Sequence, residues 1–254
     1  VFGTEHEIRK ADWRPESQEE FYLLRSAVEK NGPDAGYPPE ELYSQAKDVD
    51  VIITHHTPLN SRVIGGSGAK LIGVCRAGVE NVDLRAASAQ GITVFKTIGR
   101  NTEAVSDFTV GMILCELRNI ARGHAAMMQG SWRRKYSNPD YMGDMQGKTV
   151  GLIGFGEIGR AVTKKLSGFD IRVIAYDPFV DAEHIRNAGA EKADFETVCR
   201  TSDFISVHAR LSEATKGLLG KDAFEMMKPE AYLINTARAG LIDEEALVEA
   251  LQQK

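Results

Sequence analysis

The stretch KTVGLIGFGEIGRAV, Lys148 to Val162, passes from an apolar run through three glycines into a helical pattern. Gly154, Gly156 and Gly159 each carry a conformational-entropy cost, which asks for a reason to keep them. A strand-to-helix turn supplies one. Gly154 permits a tight turn off the strand, Gly156 leaves the main chain bare to a ligand, and Gly159 lets the helix approach the strand. The free N–H groups of the helix start then meet an anion such as a pyrophosphate. The helix dipole contributes only about 0.3–1 kcal/mol, so geometry dominates. The run RVIAYD (172–177) follows and ends in Asp177, whose carboxylate can accept a bond from a ribose 2′-hydroxyl. Taken singly, the glycines fit a structural turn and Asp177 fits a turn residue before Pro178. The ordered series strand, glycine turn, helix, strand, acid favours a dinucleotide. Asp177 would repel a 2′-phosphate about 4 Å away by roughly 4 kcal/mol per charge pair at an effective dielectric near 20. Pro178, Phe179 and Val180 bring no compensating arginine, so NAD is expected over NADP.

Outward from this turn, short apolar runs alternate with amphipathic stretches, the pattern of parallel sheets covered by helices. Predicted strands are 50–55, 71–75 and 92–96 in the first part and 149–154, 172–177, 203–209 and 231–237 in the second. SQEEFYLLRSAVEKNG (17–32) reads as a capped helix, and GPDAGYPPE (32–40) as loop. The pattern from Asn101 to Met128 predicts one long helix bridging two domains, followed by a polar surface excursion at 129–148. DEEALVEALQQK (243–254) presents an apolar face (Ala246, Leu247, Ala250, Leu251) that calls for a further parallel strand, so the chain is expected to lack its C-terminal part. The expected architecture is α/β, with parallel sheets in two parts that divide near residue 98, the second of which carries the dinucleotide turn.

The 254 residues suffice for two domains, and 43% hydrophobic with 26% charged residues is ordinary globular composition. A net charge of −5 argues against nucleic-acid or anionic-membrane partners. No apolar run reaches the ~18 residues of a spanning helix. Three widely spaced cysteines without a C-x-x-C pair suggest reduced thiols in the cytoplasm and no metal site. Cys115 and Cys199 read as core or near-core residues, and Cys75 as a packing residue.

CRAGVENVD (75–83), NTEAVSDFTVGMIL (101–114), GLIGFGEIGR (151–160), YDP (176–178) and LINTARAGLIDEEAL (233–247) together resemble the D-isomer-specific 2-hydroxyacid dehydrogenases, which include phosphoglycerate dehydrogenases. The similarity runs from Asp50 to Lys254. It implies an NAD-dependent enzyme of two Rossmann-like, doubly wound parallel-sheet domains with a cleft between them, residues 1–98 flavodoxin-like and substrate-binding and residues 99–254 nucleotide-binding, usually a homodimer through the nucleotide domain. The reaction it implies is hydride transfer between the nicotinamide and C2 of a small D-2-hydroxy or 2-oxo acid, with 3-phosphoglycerate among the substrates this allows. By the same resemblance Arg238 is the catalytic arginine that holds the substrate carboxylate. A guanidinium grips a carboxylate through two bonds, which a lysine cannot reproduce. Without the resemblance Arg238 reads as a strand-end cap or a partner of Asp243. Arg76, Ala77 and Gly78 are placed at the substrate, with Arg100 a further cation. Val79, Glu157, Ile158, Thr236, Ala237 and Arg238 are placed at the cofactor beside the three glycines and Asp177.

The sequence departs from the family in three places. Ala239 stands where a glycine usually follows the arginine, RAGVENVD is shorter than the commoner RAGVGVDNVD, and VHARL (207–211) replaces VHTPL. The family's glutamate and histidine acid–base pair is expected beyond Lys254. His208 reads as a strand-end residue with a structural hydrogen bond, and His55 and His56 as either loop residues or substrate contacts. Two other readings share these motifs: an NAD(H)-sensing, corepressor-like binding protein and a formate dehydrogenase-like enzyme.

Overall fold

The computed structural model describes residues 6–136, 138 and 143–253. The chain divides into two compact units, Val1–Arg100 and Asn101–Lys254. Among the described residues no helix is long and apolar enough to cross a membrane.

The first unit opens with α1 (Gln18–Asn31), whose cap Ser17 accepts the Glu20 N–H at 3.0 Å and whose end is marked by Gly32 at φ +85°. The stretch expected to be loop contains a 3-10 turn, Pro33–Ala35, and leads into α2 (Glu40–Gln45). Three parallel strands follow in the order β1 (Val51–Thr54), β2 (Leu71–Val74), β3 (Thr93–Lys96), joined by α3 (Ser61–Gly65) and α4 (Leu84–Ala89). One face of this sheet packs Ile52, Ile72 and Val74 against Ala46, Val63, Ile64 and Ala87. Its other face leaves Val51, Ile53 and Phe95 exposed at 46%, 55% and 59%. Cys75 is exposed and not a packing residue, because β2 ends at Val74 and Cys75 already belongs to the strand-end loop.

The second unit begins with α5 (Thr102–Leu117) and α6 (Ile120–Met128). The expected single long helix is therefore two helices in one unit. The break falls at Asn119, a left-handed residue (φ 54°) that is 2% exposed. Asparagine tolerates this conformation, and Arg122 donates to its Oδ1 at 3.0 Å. Positions 137 and 139–142 of the expected surface excursion lie outside the described residues.

A five-stranded parallel sheet follows: β4 (Thr149–Ile153), β5 (Arg172–Tyr176), β6 (Glu191–Lys192), β7 (Phe204–Val207) and β8 (Tyr232–Asn235). Its spatial order is β6-β5-β4-β7-β8. The two-residue β6 has no apolar run to announce it. Between the strands lie α7 (Glu157–Leu166), α8 (Ala182–Asn187), α9 (Phe195–Thr201) and α10 (Lys221–Met226), and α11 (Glu244–Gln252) follows β8. Both faces of this sheet are covered. Val150, Leu152 and Phe204 pack with Ile113, Leu117, Val162 and Leu166, while Ile153, Ile174, Ile205 and Val207 pack with Val198, Cys199 and Ala223. Each fully buried aliphatic chain contributes about 1.5–3 kcal/mol. The connections run to opposite sides of β4 and β7, which puts a topological switch point between their carboxyl ends.

Candidate functional site

The glycine turn leaves β4 at this switch point. Gly154 has φ +95°, and a Cβ there would lie 2.6 Å from Ala209 N and 2.7 Å from the His208 carbonyl carbon at the end of β7. Only glycine satisfies both the left-handed backbone and the approach. At Gly159 a Cβ would stand 2.7 Å from Gly154 O, so the missing side chain lets α7 pack onto the turn. Gly156 differs: a Cβ there would have no heavy-atom neighbour within 4 Å and would occupy open space beside the turn. It is also the cap of α7, and no side chain caps the helix start. The first N–H groups of α7, Glu157 and Ile158 included, thus lack intrahelical partners. This cradle fits a pyrophosphate.

Asp177, one residue past β5, closes the turn from the side. Its Oδ2 accepts the Phe155 N–H at 2.8 Å, and its Oδ1 accepts the Phe179 N–H at 2.9 Å. A carboxylate has about four acceptor positions, so capacity remains for a hydroxyl. Phe155 is fully buried, whereas Phe179 beside Asp177 is 95% exposed. Glu157 pairs with Arg160 on the outer surface of α7.

At the end of β8, Asn235 shapes the segment that carries Thr236, Ala237 and Arg238. Its Oδ1 accepts the Ala237 N–H at 3.0 Å and its Nδ2 donates to Arg238 O at 2.9 Å. Arg238 is half-buried and donates from Nη1 to Ala237 O at 3.1 Å. The Thr236 hydroxyl lies 3.1 Å from that of Thr109 on α5. Between the two groups, at the end of β7, Ser206 Oγ and His208 Nε2 are 3.0 Å apart. Burial pushes the His208 imidazole down to a pKa of about 4, so it is neutral near pH 7. The structure thus brings Gly154, Gly156, Glu157, Ile158, Gly159 and Asp177 into one turn, and Thr236, Ala237 and Arg238 into a second segment of the same sheet end. Asn235 and Thr109 were missed from the sequence. An Asx turn at a strand end could have suggested Asn235, but nothing local marks Thr109.

Arg76, Ala77, Gly78 and Val79 belong to the first unit. Arg76 is buried, with Nη2 donating to Glu29 Oε1 at 2.9 Å and to Glu80 Oε2 at 3.3 Å. Ala77 is exposed, while Gly78 and Val79 are half-buried. Asn81, fully buried, pins this loop by donating to Thr57 O and offering its own carbonyl to the Leu59 N–H at 2.7 Å. The His55 and His56 rings lie with centroids 3.9 Å apart, tilted by 30°. Arg100 donates to His55 Nε2 at 2.9 Å and to Cys75 O at 3.2 Å. Burial, the neighbouring His55 and the cations Arg25 and Arg76 push His56 down to about 4, and burial with Arg100 lowers His55.

Residues 110–254 match the family described as D-isomer specific 2-hydroxyacid dehydrogenase, NAD binding domain. The chain is 35% identical to D-3-phosphoglycerate dehydrogenase of Archaeoglobus fulgidus over 94% of its own length and 45% of that protein. It is 34% identical to hydroxypyruvate reductase of Thermotoga maritima, over 92% of the chain and 76% of the relative. The structure of D-lactate dehydrogenase from Escherichia coli aligns with TM-score 0.71 and 29% identity, over 93% of this chain and 77% of that one. The chain spans less than half the length of the phosphoglycerate dehydrogenases it matches.

Proposed function

This chain belongs to the D-isomer-specific 2-hydroxyacid dehydrogenase family, and on that premise we propose that it serves an NAD-dependent oxidoreductase interconverting a D-2-hydroxy acid and the 2-oxo acid. The observation that carries the reading is the bare cradle at Gly156, with the Asp177 carboxylate bonded to the same turn through the Phe155 N–H. When bound, NAD supplies the nicotinamide ring that accepts or returns the hydride at substrate C2. The chain's own residues bind and orient. The turn and the start of α7 hold the diphosphate through backbone N–H groups, and Asp177 holds the adenosine ribose. Arg238 grips the substrate carboxylate, its backbone held by Asn235. The segment Ala77–Val79 supplies backbone contacts to substrate. Arg76 pairs with Glu29, which it shares with Arg25, and with Glu80, which supports a role in shaping that segment. The substrate class is a small D-2-hydroxy or 2-oxo acid, with 3-phosphoglycerate among those it allows.

Calorimetric titration of the folded chain with NAD and NADH tests the cofactor, and a panel of 2-oxo acids with NADH on the full-length protein, phosphohydroxypyruvate included, tests the substrate. Changing Asp177 to Ala should weaken NADH binding about ten-fold and narrow the preference over NADPH, consistent with loss of one charge-assisted bond. An unchanged preference would remove the acid from the account. Arg238→Lys should lower kcat/KM of the full-length protein for 2-oxo acids about a hundred-fold. Binding of NADH by the full-length protein without turnover of any acid would instead favour the sensing protein.

A further inference from the structure

Thr109 stands on the buried side of α5, fully shielded, on a face whose other buried positions are Ser106, Ile113 and Leu117. Its hydroxyl makes two contacts. Oγ1 is 2.8 Å from the Val105 carbonyl one turn earlier and 3.1 Å from Thr236 Oγ1 at the end of β8. A hydroxyl has one hydrogen. A carbonyl can only accept, so the Thr109 hydrogen goes to Val105 O, the shorter of the two contacts. The hydrogen between the threonines then belongs to Thr236, and Thr236 is left with acceptor capacity alone.

The position of Thr236 on the sheet says which part of a bound dinucleotide would lie beside it. Asp177 follows β5, the glycine turn follows β4, and Thr236 follows β8, in the spatial order β5-β4-β7-β8. With strands about 4.8 Å apart, Thr236 lies roughly 10 Å beyond the turn on the side opposite Asp177. A dinucleotide with its adenosine at Asp177 and its diphosphate on the turn extends its nicotinamide nucleoside toward β8. That half carries two kinds of hydrogen-bond donor, the ribose hydroxyls and the carboxamide amino group.

We propose that Thr109 is a positioning residue that fixes the polarity of the Thr236 hydroxyl, so that Thr236 receives a hydrogen bond from the nicotinamide half of the cofactor. The inference rests on the dinucleotide reading above. Removing Thr109 frees Thr236 to turn its hydrogen toward the ligand and meet the ligand's donor with a donor.

The test is fluorescence titration of Thr109→Val, Thr109→Ser and the parent chain with NADH and with the reduced 3-acetylpyridine analogue, in which a methyl replaces the carboxamide amino group. Thr109→Val should bind NADH about three- to ten-fold more weakly, the range for one neutral hydrogen bond, and Thr109→Ser should restore it. Thr236→Val should weaken binding similarly, and adding Thr109→Val to it should do little more. If the carboxamide is the donor, the parent chain discriminates against the analogue and Thr109→Val abolishes the discrimination. If the ribose is the donor, Thr109→Val weakens both ligands equally. Unchanged affinity for both ligands in a folded Thr109→Val protein would overturn the proposal. So would equal losses in the valine and serine variants, which indicate packing alone. Should the parent chain bind NADH while these variants do not differ, the cofactor reading stands and this inference falls. Absence of NADH binding in the parent chain overturns both.

Discussion

The two units are built from the same strand–helix repeat, yet they bury their sheets differently. In the second, β4 is covered on both faces: Val150 and Leu152 meet α5 and α7, while Ile153 faces α9 and α10 with Ile174, Ile205 and Val207. In the first, β1 alternates between buried Ile52 and Thr54 and exposed Val51 and Ile53, and Phe95 of β3 is exposed on the same side. Parallel sheets are ordinarily buried on both faces, so the five-stranded sheet is the self-sufficient one. The close approaches follow the same division. The turn at Gly154 is locked by backbone on one side and φ on the other, whereas Gly73 in β2 has room for a side chain.

The sharpest way to break this contrast is a pair of glycine substitutions. Gly154→Ala should destabilise the second unit by about 3 kcal/mol or more and abolish NADH binding, because backbone atoms of His208 and Ala209 cannot yield. Gly73→Ala, whose Cβ would meet Ile53 Cγ1 at an ordinary 3.7 Å, should shift stability by no more than about 1 kcal/mol. Denaturant unfolding of both variants checks this, and comparable losses would dissolve the distinction. Next in size are core truncations. Leu152→Ala should cost about 2–5 kcal/mol, against less than about 1 kcal/mol for Ile53→Ala on the bare face.

Acid sensitivity is a property that the two units share. His208 and His56 both titrate near 4 when folded, against the usual 6.5. The unfolded chain therefore binds more protons between pH 6.5 and 4, and stability falls as pH drops through that window. His208→Asn should flatten this dependence in the second unit and His56→Gln in the first, as read from thermal unfolding between pH 7 and 4.5. An unaltered pH slope in either variant would mean that the imidazole is not protected there.

Much of the second unit was legible because its signals are local. A buried parallel strand needs a continuous apolar run, so TVGLI and FISV identify themselves, and a glycine that must turn left at a strand end is visible as Gly154. Arg238 and the segment Cys75–Asp83 were visible only through their resemblance to a family. β6 escaped because two charged edge residues carry no pattern, and the break at Asn119 escaped because the apolar period continues across it. Cys75 was misjudged because an apolar run does not announce the residue at which pairing stops.

By itself the sequence determined the α/β class, the parallel strands, the glycine turn and the acid that follows them, since each is written in neighbours along the chain. Only the tertiary structure decided that Asp177 reaches back to the Phe155 N–H, that Glu29 and Glu80 pair with Arg76, and that Thr109 meets Thr236 across 127 positions. The physical reason is that a hydrogen bond between side chains far apart in the chain depends on how helices settle on a sheet. No local period or propensity records that.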